Sequence, residues 1–107
     1  HPALEDDPGH AIWKRDFTGA SSLFSIILNP APMTAVAAMV DHLALFGMGA
    51  SWGGYESLVL PFDCAAYRTV TEWQPGGPCI RIHIGLEDVE DLKEDLDAGF
   101  TRMTAAM

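Results

Sequence analysis

Pro78-Cys79-Ile80-Arg81-Ile82-His83-Ile84-Gly85, running on into Leu86-Glu87-Asp88-Val89, is the stretch on which the fold turns. Ile80, Ile82 and Ile84 alternate with Arg81 and His83, the period-two pattern of a strand with one buried face. Three β-branched residues suit a pleated surface. Gly85 closes the strand, and a carboxylate-rich helix start follows. The second face carries a guanidinium and an imidazole in mid-strand, so it is either wetted or presents Arg81 to an anion. Alternation alone leaves both open.

Downstream, Asp88 to about Met103 predicts a helix with Val89, Leu92, Leu96 and Phe100 on one stripe. Glu87, Asp88, Glu90 and Asp91 crowd its first turn, where the helix dipole favours negative charge. Upstream, Phe62 to Gly77 is a long loop carrying Arg68, Glu72, Trp73 and Gln74, a length uncommon without a function or a neighbour to pack on. Tyr55 to Pro61 reads as a strand closed by its proline. Met48 to Gly54 is small and glycine-rich, ending Ser51-Trp52-Gly53-Gly54. From Met33 to Phe46, Val36, Met39, Val40, Leu43 and Phe46 recur at helical spacing, with Gly47 placed to cap the helix. Ser22 to Leu28 is a nearly all-apolar, central strand, and His10 to Phe17 forms at most a turn or two of helix. Strands alternating with amphipathic helices predict an α+β two-layer sandwich, a mainly antiparallel sheet with helices packed on one face.

The chain has 107 residues, the size of one domain with a real core. A formal net charge of −9 and six scattered basic residues argue against nucleic acid or an anionic membrane as partner. No apolar run reaches the roughly 18–20 residues that span a bilayer. Cys64 and Cys79 make no disulfide framework, which points to a reducing cytoplasmic setting, and His1, His10, His42 and His83 are spread without metal-ligand spacing. No metal site is expected. The chain opens on His1-Pro2 without an initiator Met and reads as a piece of a longer protein.

No nucleophile with its base stands out. Lys14 and Lys93 lie in no apolar setting that depresses a lysine pKa. Ser51-Trp52-Gly53-Gly54 is either a turn beside an aromatic or a loop whose small residues let backbone N–H groups approach an anion. His83 is a polar neighbour of Arg81 or an orienter of it. Trp13, Phe17 and Trp73 are candidate surfaces for packing against something outside this chain.

Three strings read together add a resemblance: HAIWKRDFTGASSLFSIIL (10–28), LFGMGASWGGYESLVL (45–60) and IRIHIGLEDVEDLKEDLDAGF (80–100). They resemble the cystathionine β-lyase branch of the Cys/Met-metabolism pyridoxal-phosphate (PLP) enzymes, which have the fold-type I architecture. The resemblance runs in order along nearly the whole chain and is weakest over Phe62 to Gly77. It implies that residues 1–107 are the C-terminal small domain of such an enzyme. The cofactor lysine, the phosphate-binding loop and every catalytic and cofactor-binding residue would then lie in an absent large domain. The family's carboxylate-binding arginine falls on Arg81 and its Ser-Trp pair on Ser51 and Trp52, the substrate-binding set. The implied reaction cleaves L-cystathionine to homocysteine, pyruvate and ammonia in methionine biosynthesis, with PLP as electron sink. The implied partners are the chain's own large domain, a small amino-acid substrate and further copies in a homotetramer. The isolated chain is then expected to be inactive. Two other readings stand beside it: a related γ-synthase or γ-lyase domain, and a free-standing small-molecule-binding or regulatory α+β domain.

Overall fold

The computed structural model describes residues 1–107. Its elements are α1 (His10–Asp16), β1 (Leu23–Ile27), α2 (Met33–Val40), β2 (Gly47–Met48), β3 (Leu58–Phe62), β4 (Cys79–His83) and α3 (Val89–Ala105). The strands form one sheet in the order β1-β4-β3-β2, so β1 lies at the edge and not at the centre that its apolar run predicts, with Ile27 exposed there. The β4 strand, built on the alternating isoleucines, lies inside the sheet and pairs antiparallel with both β1 and β3. The β2 strand pairs parallel with β3, so the sheet is mixed.

The register sorts the side chains by face. Phe24, Ile82 and Val59 lie abreast across three strands, as do Ile26, Ile80 and Pro61. Val59, Ile80 and Ile82 are buried in one cluster with Val36 and Met39 of α2 and Leu92 and Met103 of α3. Removing each such side chain from water is worth about 1.5–3 kcal/mol. Arg81, flanked by Ser25 and Leu60, therefore stands on the face away from the core. The α1 helix buries none of its residues.

Asp88 caps α3 by accepting from the Glu90 N–H at 2.8 Å, an arrangement worth roughly 1 kcal/mol. The start of α3 thus follows the pattern of acids in the sequence. The end of α2 does not. Helical spacing continues to Phe46, yet α2 stops at Val40. In a longer helix the amides of Ala44 and Leu45 would bond to the carbonyls of residues 40 and 41. Instead they donate to the Asp95 carboxylate on α3 at 2.9 and 2.8 Å. Arg102 of α3 takes up the released carbonyls of Ala38 and Met39, at 3.2 Å each. Phe46 is buried all the same, so its place in the apolar pattern reflects the core and not a helix. Gly47 does not cap α2. It opens β2, its N–H donating to the Ser57 carbonyl at 3.0 Å.

The strand predicted over Tyr55 to Pro61 begins only at Leu58 and runs through the proline to Phe62. Pro61 is tolerated because β2 covers only Leu58 and Val59, which leaves the outer side of β3 an edge at that point. Between Phe62 and Cys79 there is no helix or strand. The loop folds on its own aromatics, with Trp73 6.0 Å from Phe62 and the Arg68 guanidinium 4.9 Å over the Trp73 ring. Cys79 is buried, which pushes its thiol pKa up, and Cys64 is half-buried. No helix is long and apolar enough to cross a membrane.

Candidate functional site

The parallel pairing of β2 with β3 has a local consequence. Chain leaving β2 must travel back along the sheet before it enters β3 in the same direction, and residues 49–57 make that return. They are held by the polar side chains of β4. Arg81 Nη2 donates to the Ala50 carbonyl at 2.6 Å, with a longer contact of 3.5 Å to that of Ser51. His83 Nε2 lies 3.2 Å from both the amide N and the carbonyl O of Gly54.

The far end of the loop is tied to the segment after β4. Leu86 N–H donates to the Tyr55 carbonyl at 2.9 Å. Ser57, fully buried, donates through N and Oγ to Glu87 at 2.9 and 2.8 Å and accepts at Oγ from the Gly85 N–H at 2.9 Å. The Ser57 amide, then its hydroxyl, holds the Glu87 carboxyl below its ordinary pKa, with a smaller contribution from His83. Gly53 turns the loop with φ at +83°, a left-handed conformation that costs any side-chain-bearing residue.

Between these anchors Ser51 and Trp52 project outward, Trp52 being 67% exposed. The structure thus places Arg81 against the backbone of Ala50 and Ser51, with Trp52 next in the chain. The ion pairs of the chain are the N-terminus with Asp7, Arg15 with Asp16 and Lys93 with Glu90. Arg81 belongs to none of them. Only its Nη2 has protein partners, so Nε and Nη1 keep N–H groups in the planar array that fits a carboxylate. A guanidinium facing away from the core, exposed at its end and in no ion pair, is suited to receive an anion.

The family model described as Cys/Met metabolism PLP-dependent enzyme matches residues 1–101. The chain belongs to this family. It is 52% identical over 107 residues to the cystathionine beta-lyase of Escherichia coli, covering 96% of this chain and 27% of that protein. It is 48% identical over 105 residues to a protein of Wolbachia pipientis named an L-alanine/L-glutamate racemase, covering 96% of this chain and 26% of that one. Among solved structures, cystathionine gamma synthase of Xanthomonas oryzae in complex with cystathionine superposes with a TM-score of 0.81 at 34% identity. That match covers 99% of this chain and 28% of the other. The chain thus spans about a quarter of the length of the relatives it matches.

Family membership implies pyridoxal phosphate in the full-length enzyme. The residues of this chain do not fit as its covalent holder. Both lysines are exposed on helices, Lys93 beside Glu90 on α3 and Lys14 on α1. Neither is on the segments that meet at Arg81. No group of three or more His, Cys, Asp or Glu residues is placed to hold a metal ion.

His83 is the functional candidate that sequence patterning undervalues. It is 3% exposed, with Nδ1 3.3 Å from Ser22 Oγ and Nε2 against Gly54. Its only sequence signal is a polar residue inside the strand, next but one to Arg81.

Proposed function

We propose that residues 1–107 form the C-terminal, two-layer α+β domain of a PLP-dependent carbon–sulfur β-lyase that converts L-cystathionine and water to homocysteine, pyruvate and ammonia. The observation that carries this reading is Arg81, a guanidinium without an acidic partner beside the Ser51-Trp52 loop, in a chain 52% identical to a cystathionine beta-lyase. Arg81 receives the substrate's α-carboxylate through paired N–H donors. Trp52 helps to hold that carboxylate, while Ser51 lies near the cofactor lysine of the large domain. Pyridoxal phosphate, held by the large domain, supplies the electron sink for cleavage next to an amino acid's α-carbon. The work of this chain is orientation, which holds the Cα–H bond in line for proton removal. The enzyme is read as a cytoplasmic homotetramer, and the 107-residue chain alone as inactive.

The test is the full-length enzyme with L-cystathionine. Pyruvate release is expected. Arg81→Ala is expected to raise KM and lower kcat/KM by roughly 100-fold or more, since two charge-assisted hydrogen bonds of about 1.5–3 kcal/mol each are lost. An unchanged kcat/KM removes Arg81 from the site. Release of 2-oxobutyrate in place of pyruvate assigns the γ-cleaving chemistry of the related lyases.

The Wolbachia relative at 48% identity favours a second reading. An α-carboxylate clamp serves amino-acid racemisation equally well, because that reaction also begins at the Cα–H bond. Incubation with L-alanine and chiral analysis of the product separates the two.

A further inference from the structure

We infer that His83 is a positioning residue of this site: by holding the backbone of Gly54 it fixes the segment that carries Ser51 and Trp52 against Arg81. The inference rests on the substrate-clamp reading above.

His83 is 3% exposed, and a buried imidazole is costly unless its nitrogens are satisfied. Both are engaged, Nδ1 with Ser22 Oγ at 3.3 Å and Nε2 with Gly54 at 3.2 Å. The Ser22 contact sets the ring from the β1 side. The Gly54 contact reaches the loop 29 residues earlier in the chain. Arg81 and His83 are two residues apart on one strand face, about 6.6 Å, and they hold Ala50 and Gly54 respectively. Ser51, Trp52 and Gly53 span the gap between these two anchors, with the left-handed turn at Gly53.

Loss of the His83 anchor leaves the span held by the Arg81–Ala50 bond on one side and by the Leu86–Tyr55 bond on the other. The free span then lengthens from residues 51–53 to residues 51–54, and Ser51 and Trp52 lose their fixed orientation beside the guanidinium. Displacement of a binding group by about 1 Å is enough to cost up to roughly 100-fold in rate. His83 itself faces Ser22 and Gly54 and not the exposed side of Arg81, so its action is through the loop.

The full-length holoenzyme tests this with two variants. The amide of His83→Gln reaches the position of Nε2 and can both accept and donate at Gly54. The shorter amide of His83→Asn reaches only the position of Nδ1 and keeps Ser22. With L-cystathionine, His83→Asn is expected to raise KM roughly 10-fold or more with a smaller change in kcat, and His83→Gln to stay within about 3-fold of wild type. Hydrogen exchange of residues 50–55 is expected to quicken in His83→Asn and not in His83→Gln, with α3 unchanged in both. Equal KM values for the two variants, or unchanged exchange in His83→Asn, overturn the inference. Should His83→Asn not fold, wild-type exchange across residues 50–55 decides: protection within the span supports the anchor, and exchange throughout it as fast as in a free peptide refutes it. A wild-type enzyme that forms no pyruvate overturns the substrate reading, while the exchange comparison still judges His83.

Discussion

Glu87 accepts both hydrogen bonds that Ser57 donates, from the backbone N at 2.9 Å and from Oγ at 2.8 Å. This pair joins the start of β3 to the turn after β4, and Ser57 Oγ accepts in turn from Gly85 N–H. The loop that carries Ser51 and Trp52 therefore ends on a fixed point.

The same pair sets a pH dependence. The bonds from Ser57 hold the Glu87 carboxyl below its usual value of 4.5. A carboxylate with a depressed folded-state pKa adds stability that is present above the unfolded value and is lost as pH falls through the folded one. Glu87→Gln is expected to be less stable than wild type at pH 7, with the difference narrowing below pH 4.5 as wild type loses the charge. Urea midpoints at both ends of that range measure it. A gap that stays constant into acid refutes it.

Gly85 is required for space. A Cβ there would run into the Tyr55 carbonyl oxygen and come within 2.6 Å of the Glu56 carbonyl carbon. Gly85→Ala is expected to cost about 1–3 kcal/mol, the usual range for forced overpacking, read from chemical denaturation. Gly53→Ala meets no atom within 4 Å but sits at φ +83°, so its cost of about 1–2 kcal/mol is conformational. Gly54→Ala has neither obstacle and is expected to fall within about 0.5 kcal/mol of wild type.

Arg81→Lys separates geometry from charge. Lysine keeps the positive charge and three donors but not the planar fork, so it cannot grip a carboxylate bidentately while a further N–H in the same plane holds Ala50. The expected result in the full-length enzyme is a KM for L-cystathionine at least 10-fold above wild type, on the side of the alanine variant. A KM equal to wild type means that charge alone suffices.

Ile80 is fully buried between the sheet and the helices. Ile80→Ala is expected to cost about 2–5 kcal/mol and Ile80→Val about 0.5–1.5. Denaturant midpoints that barely move for the alanine variant would mean that this face of β4 is not the core.

Much of the fold was legible before any contact was known. The isoleucines of β4, the apolar run of β1 and the acid-headed stripe of α3 each declare their element because the period of the apolar residues matches the local backbone period. Arg81 was legible as a singular residue for the same reason, since alternation sets it opposite the core. The family strings then drew Ser51 and Trp52 to it.

Alternation and apolar spacing thus determined β1, β4, most of β3 and the starts of α2 and α3, and which face of β4 is dry, but gave no sign of β2. They did not determine where α2 ends, because Phe46 must be buried whether or not the helix reaches it. That boundary was decided by Asp95 and Arg102, which come from α3 and capture the amides and carbonyls that a longer α2 would have paired internally. Nor did the sequence determine the role of His83, whose partners Ser22 and Gly54 lie 61 and 29 residues away. Local periodicity is written into neighbouring residues, whereas the partner of a buried polar group is chosen by whatever the folded chain brings within hydrogen-bond reach.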